Sequence, residues 1–336
     1  MKIIIDLTNK CLSDNALRRF TYGLWQDLAE SQPSSEFTIL TPVVTPGWQG
    51  SNIAMKQLRK TGLAWLERVR YRALIRRLRP DRIVTIDQQG FTITDNSRPA
   101  TSKLSNAQTR VLLAGHDAST VPSYMPAAMV YPAMREPIPS LTWAEAESIK
   151  TSYTGGRAFF LFTGDISDQH LLIDLLKAFS TFKKWQQSNM QLVIAGSTTA
   201  WTPQLEEKLL TYKYRQDVVL LKNADNAIIA NLVASSYAMV YPARPGTYPL
   251  ALVWAIQGHK AIIASSSDTG RRLTKAAIWV REDNTAEGFA QAMISIYKDE
   301  SRQQQLAQQA ATEAPQFNRQ QLLTIMWKYI QQTMNE

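Results

Sequence analysis

The stretch YPARPGTYPLALVWAIQGHKAII, residues 241–263, decides how the rest of the chain is read. It opens on the end of an apolar run, Ala238, Met239, Val240 and Tyr241. Pro242, Pro245, Gly246 and Pro249 then break regular structure. Residues 250–257 are almost wholly apolar and stop at Gly258, and a second apolar run covers 261–264. Strand, Pro/Gly loop, helix, strand is the pattern of a βαβ unit. The loop leads into a helix N-terminus, where backbone amides and the helix dipole favour a bound anion.

Outward from this stretch, the second half of the chain keeps the same alternation. RAFFLFTG at 157–164 is a buried strand, 171–186 an amphipathic helix, and QLVIAG at 191–196 a strand closed by a glycine. Helices at 204–214 and 225–235 flank a strand at 217–221. Beyond the central stretch come a short strand at 276–280 and helices at 285–298, 302–311 and 319–333. Residues 136–152, with Pro137 and Pro139, read as a linker followed by the first helix of this half.

The first half repeats the pattern less cleanly. Strands are expected at 2–6, 37–41, 81–87, 110–114 and 127–131. A helix is expected at 16–30, capped by Ser13, Asp14 or Asn15, and a second at 54–78, ended by Pro80. The polar stretch 88–108 is expected to be weakly structured. Strands alternating with helices argue for parallel, doubly wound sheets. No glycine-rich turn follows the first strand, since residues 7–16 contain no glycine.

Length and composition fit this picture. The 336 residues suffice for two domains, and an apolar share of 45% is enough to fill two cores. The single cysteine, Cys11, excludes a disulfide framework. The apolar run in MKIIIDLTNK is shorter than the roughly 7–15 residues of a secretory signal. No stretch approaches the roughly 18 uninterrupted apolar residues of a membrane span. The expectation is a cytoplasmic protein, with peripheral contact at the inner face of a membrane left open.

That opening comes from charge. The formal net charge is +9, and much of it falls in residues 56–82, where ten basic residues meet only Glu67 and Asp81. One reading is a core-facing helix with a solvated basic side. Another is contact with an anionic membrane surface. Nucleic acid is disfavoured, because Trp65 and Tyr71 form no regular stacking array and no recognition motif is present. A metal site is not expected, since the three histidines are far apart and Cys11 is isolated.

Residues 159–317 resemble the second half of family 4 glycosyltransferases of the GT-B fold. FLFTG at 160–164, LLKAFSTFKKWQQSNMQLVIAG at 175–196 and AMVYP at 238–242 carry the resemblance, with Pro242, Gly246 and Gly258 in the family's register. The first half matches in layout, at MKIIID, RPDRIVTID and GHD. The resemblance implies two Rossmann-like doubly wound domains facing a cleft. They are expected at 1–138 (acceptor side) and 139–316 (nucleotide-sugar side), with a C-terminal helix at 317–336 crossing back.

The resemblance also implies roles for particular residues. His116 and Asp117 fall on the family's catalytic His-Asp of the first domain. Gly164, His170, Gly196, Arg244, Gly246, Thr247 and Tyr248 fall on the donor-binding segments, with His170 where the family carries a basic residue against the diphosphate. The family's two motif glutamates fall on Pro245 and Val253, which have no carboxylate. Two functions therefore stand side by side. One is retaining transfer of a sugar from a nucleotide-sugar to a polysaccharide or a glycolipid or other lipid-linked acceptor, with no metal or cofactor. The other is a catalytically inactive pseudo-glycosyltransferase that serves as a scaffold or protein partner.

Overall fold

The computed structural model describes residues 1–8, 15–41, 51–58, 63–87, 89–96, 108–123, 125, 127–281, 283 and 285–332. Cys11 and the cap candidates Ser13 and Asp14 lie outside them. The chain forms two compact units, Met1–Tyr131 with Arg319–Glu336, and Pro132–Asn318.

The first unit holds strands β1 (Lys2–Asp6), β2 (Glu36–Thr41), β3 (Ile53–Gln57), β4 (Arg82–Ile86), β5 (Gly90–Asp95), β6 (Gln108–Leu113) and β7 (Ala127–Val130). Its helices are α1 (Asn15–Ser31) and α2 (Ala64–Leu78). The sheet runs β3-β2-β1-β4-β5-β6-β7. Ile3, Ile4 and Ile5 are buried at its centre, as a strand covered on both faces requires.

Two segments differ from the sequence expectation. Residues 53–57, expected as the start of a helix, form β3 and pair in parallel with β2. Ala54, Met55, Lys56 and Gln57 are good helix formers, but the open hydrogen-bonding edge of β2 overrides that weak preference. Residues 90–95, expected to be weakly structured, form β5, antiparallel to both β4 and β6. Gly90 makes this hairpin possible. Its φ is +151°, and a Cβ there would lie 2.1 Å from the Val111 carbonyl oxygen.

The second unit holds β8 (Phe159–Ile166), β9 (Gln191–Thr198), β10 (Val218–Lys222), β11 (Ala238–Tyr241), β12 (Ala261–Ser265) and β13 (Ala277–Val280). Its helices are α3 (Trp143–Thr154), α4 (Leu172–Gln186), α5 (Thr202–Leu210), α6 (Asn226–Ser235), α7 (Leu250–Gln257), α8 (Asp268–Leu273), α9 (Thr285–Lys298) and α10 (Glu300–Glu313). Local chemistry sets the ends. Thr142 and Glu145 form a capping box at the start of α3, and Asp225 caps α6. The short α8 was missed because six residues carry too little periodicity to read.

All described strand pairs of this second sheet are parallel, in the order β10-β9-β8-β11-β12-β13. Counted within the unit, that is 3-2-1-4-5-6, a doubly wound order whose direction reverses between β8 and β11. Residues 250–256 of α7 are all buried, which matches a helix apolar on every side. Helix α11 (Arg319–Gln331) returns to the first unit. There Arg82 bonds the Ile330 carbonyl and pairs with Asp95 at 2.6 Å, both side chains being 4% exposed. Arg319 pairs with Asp27 of α1 at 2.7 Å.

Candidate donor site at the strand ends of the second unit

Ligands of doubly wound sheets bind beyond the carboxyl ends of the strands, where the order reverses. Here that point lies between β8 and β11. The loop after β8 and the loop after β11 are joined by backbone. Leu171 donates its N–H to Pro242 at 3.0 Å, Arg244 donates to Gln169 at 2.8 Å, and His170 bridges Ala243. The Ala243 amide donates to Ser265 Oγ at 3.0 Å, which ties in the end of β12.

Gly164 and Gly196 are opposite each other in the β8–β9 ladder. A Cβ on Gly196 would sit 1.7 Å from the Gly164 carbonyl oxygen, and one on Gly164 (φ +148°) would meet Phe162 and His170. Gly196 answers to close packing, and Gly164 answers first to its positive φ. Gly246 differs: its φ is +88° and nothing lies within 4 Å of a Cβ, so the turn itself requires it.

His170 is buried. Its Nδ1 lies 3.2 Å from Ser167 Oγ and its Nε2 lies 3.3 Å from the Tyr241 hydroxyl. Phe162 and Tyr241 meet the imidazole edge-on, with centroids 5.2 and 5.3 Å away. Burial disfavours the imidazolium and pushes the pKa down to about 4, outweighing the opposite pull of Asp165 and Asp168. At neutral pH this side chain is an uncharged core group.

The motif positions follow the same division. Val253 is fully buried on α7, and Tyr248 is buried, with its hydroxyl pKa pushed up by desolvation. Pro245 and Gly246 are exposed and Thr247 is half-buried. Arg244 is exposed, with its Nε on the Asp168 carbonyl at 3.0 Å. Beside it lies a pocket of about 290 Å³, including space open to solvent, lined among others by Arg244, Thr247 and Ser265 to Ser267. The enclosed part has room for about one water-sized group, so a larger ligand would lie over the rim rather than inside the pocket. Arg271, on the adjoining α8, donates from Nε to Ser266 at 3.0 Å and stacks over Trp279.

His116 and Asp117 lie in the first unit, just after β6. His116 is half-buried, and Asp117 accepts the Ser119 amide at 3.0 Å, capping a single 3-10 turn at Ala118–Thr120. Among the described residues, no group of three or more His, Cys, Asp or Glu side chains is placed to hold a metal ion. Sequence reasoning missed Ser167, Tyr241 and the serines at 265–267. Their signal was position: polar residues at or just beyond strand carboxyl ends.

The model of the family described as glycosyl transferases group 1 matches residues 144–313. The chain belongs to that family. The match begins in α3 and spans nearly all of the second unit, including every donor-segment residue above. No curated protein matches the chain by sequence.

Solved structures confirm the fold of this group 1 glycosyltransferase chain as GT-B. WaaG, a glycosyltransferase involved in lipopolysaccharide biosynthesis, superposes with a TM-score of 0.74 at 11% identity over 98% of this chain and 100% of that one. Anabaena HepE, solved with UDP and glucose, gives 0.71 at 12% over 99% and 100%. Sucrose-phosphate synthase from Thermosynechococcus elongatus gives 0.70 at 12% over 98% of each chain.

Proposed function

We propose that this group 1 glycosyltransferase chain takes a nucleoside-diphosphate sugar at the strand ends of its second unit. The sugar then passes, with retention, to a polysaccharide or glycolipid acceptor. The observation that carries the reading is the rim formed by Arg244, Gly246 and Thr247 ahead of α7, with Ser265 to Ser267 and Arg271 beside it. Guanidinium groups and a helix N-terminus suit a diphosphate leaving group, whose developing charge must be met for transfer to proceed. HepE, with the same fold, was solved with UDP-glucose. In this reading Arg244 and Arg271 replace the charge that the buried His170 does not supply, and no metal takes part.

A second reading rests on a specific observation. Pro245 and Val253 hold no carboxylate, and Val253 and His170 belong to the core. The chain then keeps the fold without the chemistry and acts as a non-catalytic protein partner. Both readings place it in the cytoplasm, peripheral to an anionic membrane face.

Calorimetric titration with UDP and GDP, with and without a divalent ion, separates them. Micromolar binding of either nucleotide supports the transferase and justifies a search for its donor sugar. No binding of either at millimolar concentration sinks the reading as a UDP- or GDP-sugar transferase and turns the search towards protein partners.

A further inference from the structure

Helix α2 is anchored on one side and open on the other. Tyr71, which hydrogen-bonds the Asp6 carboxylate at the end of β1, marks the inner face, with Leu74, Ile75 and Leu78 half-buried beside it. At ~100° per residue, Trp65, Val69 and Ala73 run down the opposite side. They are exposed, Trp65 at 64% and Val69 at 55%, as is Leu63 just ahead of the helix at 53%. Exposed arginines surround this stripe, with Arg68 and Arg72 on one flank, Arg70 and Arg77 on the other, and Arg76 one turn beyond, at an angle between Trp65 and Val69. Glu67 is the one acidic residue on the helix.

Single exposed apolar side chains are common, as Trp143 and Trp185 are here, but Leu63, Trp65 and Val69 are exposed together along one face among arginines. That grouping suits a helix resting on a lipid surface, where the aromatic ring sits among the headgroups while arginines meet lipid phosphates. We propose that the outer face of α2 docks this protein on an anionic lipid surface, Trp65 and Val69 entering between headgroups that Arg72, Arg76, Arg70 and Arg77 hold.

Among the described residues, the exposed basic side chains of the segment 56–82 fall on this helix and its C-cap Arg79, while Arg59 and Lys60 lie outside the described residues. Lys56 lies in β3, and Arg82 is buried against Asp95. Nucleic acid fits the face less well, because an apolar stripe between the arginines has nothing to meet along a phosphate backbone. The inference deepens the peripheral part of the reading above and is independent of donor binding.

The test is co-sedimentation of the full chain, without nucleotide, with vesicles of phosphatidylcholine alone or with one third phosphatidylglycerol. At least about tenfold more protein is expected on the anionic vesicles. Binding is expected to fall away near 1 M salt, where the screening length is about 3 Å. Arg72→Gln with Arg76→Gln is expected to weaken binding about 25-fold, since each arginine contributes roughly fivefold. Trp65→Ser is expected to weaken it as well, and all three positions are exposed enough to leave the fold intact. Equal binding to neutral vesicles, no binding, or an unchanged Arg72/Arg76 variant overturns the proposal. So does tighter binding to duplex DNA that Trp65→Ser leaves untouched. Because no nucleotide is present, failure here leaves the donor-site reading standing, and the reverse holds.

Discussion

The imidazole Nε2 of His170 lies 3.3 Å from the Tyr241 hydroxyl, inside the core of the second unit. The position that the family resemblance assigns to a cationic diphosphate contact is thus part of an aromatic cluster with Phe162. Burial holds His170 neutral down to about pH 4.

This gives a stability prediction with a defined sign. The folded-state pKa lies below the unfolded value near 6.5, so the unfolded chain binds the extra proton first. The His170 contribution is intact above about pH 6.5 and is lost as pH falls towards 4, by on the order of 3 kcal/mol. Urea unfolding at pH 7 and pH 4.5 should show a larger acid loss for the native protein than for His170→Leu. Equal losses would remove His170 as the cause.

The glycines separate packing from conformation. Gly196→Ala must push its Cβ away from the Gly164 carbonyl, since 1.7 Å is no permissible contact. It should cost at least about 2 kcal/mol. Gly246→Ala meets open space and bears only the left-handed strain at φ +88°, about 1 kcal/mol. Denaturation midpoints of the two variants test that order.

Restoring the family's carboxylates should have unequal effects. Pro245→Glu places its charge on an exposed loop and should change stability by less than about 0.5 kcal/mol. Val253→Glu buries a carboxyl in a fully apolar helix and should cost about 4 kcal/mol or more, or lift that group's pKa sharply. Thermal unfolding of both single variants checks this. A well-tolerated Val253→Glu would mean that α7 turns that face to a ligand.

Arg244 is the side chain to remove if the donor site works. Arg244→Gln should weaken UDP or GDP binding about tenfold or more, the value of one charge-assisted hydrogen bond to phosphate. Stability should stay within about 0.5 kcal/mol, since the side chain is exposed. Unchanged affinity in calorimetry would mean that the diphosphate lies elsewhere.

Much of the second unit was legible before any coordinates. Its strands are continuous apolar runs, its helices have an apolar face, and Gly258 ends α7 where it was expected to. The first unit was less legible. β3 is made of helix-forming residues and β5 is a short alternating segment between polar stretches. Each becomes a strand because a neighbouring edge offers hydrogen bonds.

What the sequence by itself determined is the family, the βαβ alternation and the absence of carboxylates at 245 and 253. These follow from residue type and spacing, which are local properties. What only the tertiary structure decided is which of the aligned residues face solvent. His170 and Val253 lie in the core, Arg244 lies on the rim, Asp117 caps its own turn, and Trp65 is left uncovered on α2. Burial depends on which distant segments pack together. Whether a histidine is a charged clamp or a neutral core group therefore cannot be read from its place along the chain.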